Sequence, residues 1–368
     1  MMRSSFRRIL GAAMALLMVS ISGISLACDP SSSSARLPYA LTDATAVYTG
    51  EVAYIFGGSQ TTSEGATFLS NSILMYNPST NNITELPTKL PLAVKVARSF
   101  WDGQSAWIFS GVNKTAVPMD YLVKFTPPGT IEYWEHFFPY GLKGCCVAWT
   151  GKVAYIFGNC VCTSNPGTRQ NVLKFDPSTV NATVLPNVIP LELAGSTAVW
   201  DGKNVYLFAG RTPDGSGSAD LDTVMKFDPA TGTCMKMNAR IPSPRYGVGA
   251  VLKGGKVSVF GGECSKGQLD EVLTYDIASD KLTMSDKKLS TQLSSSSYVL
   301  VGDSIVIFGA KTSGGATDSV EVVTLKAKTT TPTLHPFDFV SIGLVGLALL
   351  IMVAISAYSM VRRNKKDG

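Results

Sequence analysis

The chain has 368 residues, 45% apolar and only 16% charged, with 34 glycines and 19 prolines. That composition excludes a disordered chain and a helical bundle and leaves room for a large all-β core. Of the net charge of +5, three units precede residue 27 and a net three follow residue 361. The body between is left at −1, which argues against nucleic-acid binding.

Residues 1–27 read as a secretory signal. Arg3, Arg7 and Arg8 precede an apolar stretch from Ile9 to Ile24, and Ser25-Leu26-Ala27 supplies small residues before a cleavage point. Two rivals are an uncleaved anchor helix and a lipid-modified Cys28. For the second, Ser25 stands where such a signal prefers Leu.

Residues 28–325 repeat at about fifty residues. An apolar pentad ending in Phe recurs as VAYIF, SAWIF, VAYIF, NVYLF, KVSVF and SIVIF, with Phe at 56, 109, 157, 208, 260 and 308. Such runs are apolar on both strand faces and predict sheets covered on both sides. Small residues follow each pentad (Gly57, Ser110, Gly158, Ala209, Gly261, Gly309), where the chain leaving a strand takes positive φ. Before the pentad comes another strand and a turn such as Asp102-Gly103 or Asp201-Gly202. After it, a third strand ends in an aromatic followed by Asn77-Pro78, Asp176-Pro177 or Asp228-Pro229, where Pro presets φ for a type I turn. A fourth short strand ends near Leu86-Pro87 or Leu185-Pro186.

Apolar run, small residues, and aromatic-Asp-Pro-x-Thr turn together resemble the kelch-repeat β-propellers, over residues 34–325. The resemblance implies an all-β fold: a six-bladed kelch-type β-propeller with four-stranded blades. Only the first and fifth repeats keep both glycines, and the fourth-strand aromatic survives only as Trp134. The sixth unit runs out after three strands, while Ala35-Arg36-Leu37-Pro38 matches the fourth-strand segment Thr84-Glu85-Leu86-Pro87. Residues 34–38 are therefore expected to complete the sixth blade and close the ring.

In an oxidising compartment, Cys145, Cys146, Cys160 and Cys162 are disulfide candidates, since both pairs fall at one end of the third blade. A four-thiolate zinc site is the rival, although CC plus CxC lacks the usual two-residue gap. Cys234 and Cys264 fall at opposite ends of their blades and are not expected to pair. Asp214–Asp222 alternates oxygen-bearing side chains without an EF-hand's Gly or Glu and reads as a solvated loop. With His136 and His335 as its two histidines, the chain gives no reason to expect a metal or any other cofactor. Asn82, Asn113 and Asn181 head glycosylation sequons.

One end of the ring carries the loops between second and third strands and those between blades. Arg98, Arg169, Arg211, Arg245, Tyr246 and Lys266 fall there and are the ligand-binding candidates; the arginine fork suits carboxylates. The family resemblance implies a binding or scaffolding propeller for a protein or glycan partner. The alternative is a carbohydrate-active enzyme, since some kelch propellers resemble sugar epimerases or oxidases. A copper oxidase would need histidines that the domain lacks, and no carboxylate pair stands out for glycoside chemistry.

Residues 326–338 read as a Thr/Pro-rich stalk. Residues 339–361 carry no charge and are long enough for one C-terminal transmembrane helix, and Arg362 and Arg363 place the tail on the cytoplasmic side. The protein is thus expected to be a single-pass type I membrane protein with an extracellular or lumenal propeller. In the tail, 362–368, Lys365 and Lys366 stand at the dilysine retrieval spacing, which predicts residence in the early secretory pathway.

Overall fold

A computed structural model describes residues 35–158, 170–212 and 218–325, and all regular structure among them is β-strand. No helix among the described residues is long and apolar enough to cross a membrane. The expected signal 1–27, stalk, span 339–361 and Lys365-Lys366 tail lie outside them.

Six antiparallel sheets are built on the six pentads. Sheet one runs Thr45–Tyr48, Ala53–Phe56, Ser72–Asn77 and Asn82–Lys89, each strand paired with the next. Sheets two to five repeat this order, with inner strands Arg98–Trp101, Cys146–Trp149, Thr197–Trp200 and Gly249–Lys253. Sheet six has three strands, Ser297–Val301, Ser304–Thr312 and Gly315–Thr324. The long loop of sheet one adds something the repeat pattern does not predict. Its strand Ser59–Thr61 pairs with Ala40–Thr42 on one side and with Thr67–Leu69 on the other, giving a small separate sheet.

The pentads fix the register. The first residue of each inner strand faces the pentad Phe: Thr45 with Phe56, Arg98 with Phe109, Cys146 with Phe157, Thr197 with Phe208, Gly249 with Phe260 and Ser297 with Phe308. All six Phe are buried, and each contributes roughly 1.5–3 kcal/mol by leaving water. They pack between sheets: Phe56 meets Phe125 edge-on at 5.5 Å, and Phe308 meets Tyr76 at 5.2 Å, joining the sixth sheet to the first. Each inner strand lies against those before and after it, and the first lies against the sixth.

The residue after each pentad has positive φ at all six positions, including the non-glycines Ser110 (68°) and Ala209 (59°). At Gly57 the reason is a close approach as well, because a Cβ would sit 2.6 Å from the Val94 carbonyl oxygen. The Asn/Asp-Pro turns form as expected: Asn77 Oδ1 accepts from the Ser79 amide (2.9 Å) and Asp176 Oδ1 from the Ser178 amide (2.9 Å).

At the N-terminal end of the described chain, Arg36 bridges Ser319 on the third strand of sheet six. The Leu37 amide donates to the Asp318 carbonyl (2.8 Å), and Arg36 Nη1 pairs with the Asp318 carboxylate (2.6 Å). Leu37 is buried with Leu41, Val306, Phe308 and Val320.

Candidate functional site

All six inner strands start at the same end and line one cavity of about 590 Å³ there. The residues just before these strands, Asp43, Val96, Gly144, Gly195, Gly247 and Ser295, all line it and all have positive φ. Their backbones link sheet to sheet. The Asp43 amide donates to Ser295 (2.9 Å), Ser295 to Gly247 (3.4 Å), Gly247 to Gly195 (2.9 Å), Gly195 to Gly144 (2.6 Å) and Val96 to Asp43 (2.8 Å).

The cavity wall is cationic and rich in hydroxyls. Arg98, Lys143 and Arg211 line it against one acid, Asp43, with Thr45, Ser99, Ser196, Thr197 and Ser297 among the hydroxyls. Arg98 Nη1 donates to its neighbour's Ala97 carbonyl (3.0 Å), and among the described residues no carboxylate pairs with it. Arg211 lies 3.4 Å over the Tyr246 ring, while its Nε donates to Asp220 (2.6 Å). Burial first, then the nearby Glu263 carboxylate, pushes the Tyr246 phenol up to about 12, with Arg211 acting against them. Burial also works to raise Glu263. Bonds from Lys311 (2.9 Å), Tyr246 and Gln268 outweigh it and hold the carboxyl below its ordinary range.

The candidates from sequence divide accordingly. Arg98, Arg211 and Tyr246 meet at the cavity, and Arg169 lies outside the described residues. Arg245 does not line the cavity. It is fully buried, with Nη2 on Glu271 (2.5 Å), Nε on the Ser243 carbonyl (2.9 Å) and Nη1 on that of Gly261 (3.4 Å), so its guanidinium is consumed in tying sheet four to sheet five. Lys266 is exposed in the hairpin between Glu263–Cys264 and Gly267–Asp276 and does not line the cavity.

The disulfide expectation is not met at Cys145 and Cys146, which are free thiols; Cys160 and Cys162 lie outside the described residues. Consecutive residues entering a strand face opposite ways. Cys145 reaches Ser110 in sheet two (3.2 Å), and Cys146 reaches Ser196 at the entry to sheet four (3.1 Å). Burial pushes the Cys146 thiol up to about 12. Cys234 and Cys264 are also free. Asn82 and Asn181 are exposed at the start of outer strands, whereas Asn113 is half-buried and its Oδ1 accepts from the Thr115 and Val117 amides. Among the described residues no group of three His, Cys, Asp or Glu is placed to hold a metal.

Lys143, Ser99 and Tyr298 also line the cavity, and the sequence reading missed them. The signal was available, because each sits one step from the Phe-paired register position or at the strand entry.

Repeated antiparallel sheets, packed through paired aromatics around a cavity whose wall comes from every inner strand, define an all-β repeat protein of the propeller class. Residues 144–333 match the KLHDC2/KLHL20/DRC7 Kelch-repeats domain. The chain belongs to the kelch-repeat family. It is also 24% identical over 209 residues to a kelch domain-containing protein of Archaeoglobus fulgidus, a match covering 45% of this chain and 62% of that protein.

Proposed function

We propose that this chain is a binding or scaffolding propeller of six blades whose partner, a protein or a glycan, docks at the loop end and inserts a group into the cavity. Membership of the kelch family supports a protein-binding role. The observation that carries the site is Arg98, a guanidinium in a hydroxyl-lined cavity with no carboxylate on it among the described residues, facing an Arg211–Tyr246 stack. Removing an arginine from water costs free energy that an incoming anionic group would recover, and the planar fork can bond both oxygens of a carboxylate.

Six blades are supported by the closed succession of inner strands. Closure by residues 34–38 is supported by the Arg36–Ser319 bridge and the burial of Leu37. We place the propeller in the secretory lumen or outside the cell, anchored by 339–361 and retrieved through Lys365 and Lys366, with glycans on Asn82 and Asn181. That reading rests on the sequence pattern alone.

The test is a selection on the full chain, using a glycan array and a library of random displayed peptides. Binders should lose about tenfold or more in affinity for Arg98→Ala/Arg211→Ala, the effect of removing charge-assisted hydrogen bonds of about 1.5 kcal/mol or more. Binders indifferent to that double substitution would place the partner elsewhere. Lys365→Ser/Lys366→Ser should bring the protein to the cell surface; abundant surface staining of the unsubstituted protein would end the retrieval reading.

A further inference from the structure

The second residue of every inner strand lines the loop-end cavity. These six positions are Ala46, Ser99, Val147, Ala198, Ala250 and Tyr298. Five are small, and the sixth is a tyrosine. Tyr298 lines the large cavity at the loop end, and it also lines a second pocket of about 230 Å³ whose wall includes Tyr48, Trp101 and Leu300, further along the same strands. Ala46 and Ser99 line both pockets as well, and of the three only Tyr298 has a side chain large enough to stand between them.

Two contacts hold the Tyr298 ring there, one to Thr197 and one to Phe260. In sheets one and two, Thr45 bonds Ser99 (2.8 Å), the first residue of one inner strand reaching the second residue of the next. Thr197 of sheet four is placed like Thr45, but its neighbour in sheet five is Ala250, which has no hydroxyl. Tyr298 reaches past sheet five and supplies one: its hydroxyl and Thr197 Oγ1 are 2.8 Å apart. Sheet five leaves the path clear, because Gly249 and Ala250 carry almost no side chain. Gly249 also makes room for Phe260, since a Cβ there would lie 2.3 Å from that ring. Phe260 in turn meets the Tyr298 ring edge-on at 5.0 Å and 78°.

We infer that Tyr298, hooked to Thr197, is the floor of the loop-end cavity and closes the axial channel. The closure stands on this geometry. Its meaning for recognition rests on the docking reading above: the ligand presents a projecting group or chain end that seats on a closed base and leaves by the way it entered. A segment threaded through the ring is excluded, and Tyr298 sets the depth to which the ligand reaches.

A ligand-free measurement tests the floor, so its failure is distinguishable from failure of the docking reading. Thiols are placed at Lys143→Cys, in the mouth of the cavity, and Leu300→Cys, in the far pocket. The full chain is treated with a flexible bis-maleimide long enough to join them only through the channel, and the joined peptides are quantified by mass spectrometry. Closing a link between tethered sites requires a path the linker can span. With Tyr298 in place the joined pair should be near background, and Tyr298→Ala should raise it about tenfold or more. Thr197→Ala, which only unhooks the hydroxyl, should raise it in the same direction and serves if Tyr298→Ala does not fold. A strong cross-link with Tyr298 and Thr197 intact would overturn the inference. So would equal background in every folded variant, because something other than Tyr298 would then close the channel.

Discussion

Arg245→Met should destabilise the domain while leaving the ligand cavity intact. The wild-type guanidinium has no exposure, and its three bonds run to Glu271, the Ser243 carbonyl and the Gly261 carbonyl. Methionine fills much of the volume but strands the carboxylate and both carbonyls. Breaking a fully buried pair from one side costs about 3–5 kcal/mol. The Glu271 side chain keeps 23% exposure and can partly rehydrate, which points to the lower end, about 3 kcal/mol. In a domain of this size each kcal/mol moves Tm by roughly 2–4 °C, so the fall should be about 6 °C or more. Glu271→Leu added to Arg245→Met removes the stranded charge and should recover about half of that loss. Thermal unfolding of the wild type, both single variants and the double variant measures the cycle. A fall under about 2 °C, or a double variant as unstable as the sum of its parts, would refute the assignment of Arg245 to the frame.

Three further outcomes follow from buried groups. The Tyr121 hydroxyl is buried with no hydrogen-bond partner among the described residues, so Tyr121→Phe should stabilise by about 1 kcal/mol, read as a rise of roughly 2 °C or more in Tm. The Cys146 thiol, pushed up to about 12, should resist iodoacetamide at pH 8 in the folded protein and react on unfolding; rapid labelling of the native state would contradict its placement. Glu263 titrates below its ordinary 4.5 when folded, so its contribution is complete above that value and is lost as pH falls through the lowered one. Glu263→Gln should therefore be less stable than wild type near pH 7, with the gap closing below pH 4.5; a gap independent of pH would count against the Lys311–Glu263–Tyr246 network.

What could be read from the sequence was whatever repeats. The pentads appear as buried strands because two-faced apolarity is a local property, and the positive φ after them follows from the small residues placed there. The fate of Arg245 could not be read that way. In Ser243-Pro244-Arg245-Tyr246 it looks like any loop arginine, and its partner Glu271 is supplied by a different sheet. Cys145 and Cys146 misled for a related reason: their place with Cys160 and Cys162 at one end of the third blade suggested a staple, while strand geometry turned them toward serines on opposite sides. Tyr298 was within reach, since aligning the six inner strands on their Phe partners leaves one large residue in a column of Ala, Ser and Val. The small sheet of Ala40–Thr42, Ser59–Thr61 and Thr67–Leu69 has shorter counterparts at Arg211–Thr212 and Glu263–Cys264, but these polar hairpins carry none of the two-faced apolarity that marks the pentads.

Five amide-to-carbonyl links join Val96, Asp43, Ser295, Gly247, Gly195 and Gly144 in that order, an open hoop from sheet two round to sheet three in which each sheet grips the next by main chain alone. The gauge of the opening is thereby decoupled from the identity of the side chains beneath it. Lining residues that make no inter-sheet bond, such as Val147 or Ala198, can be exchanged for others with those main-chain links kept, so the same aperture can be refitted for a different guest by substitutions confined to its lining. Insertions in the loops outside the hoop would likewise change what approaches the opening and leave its width unaltered.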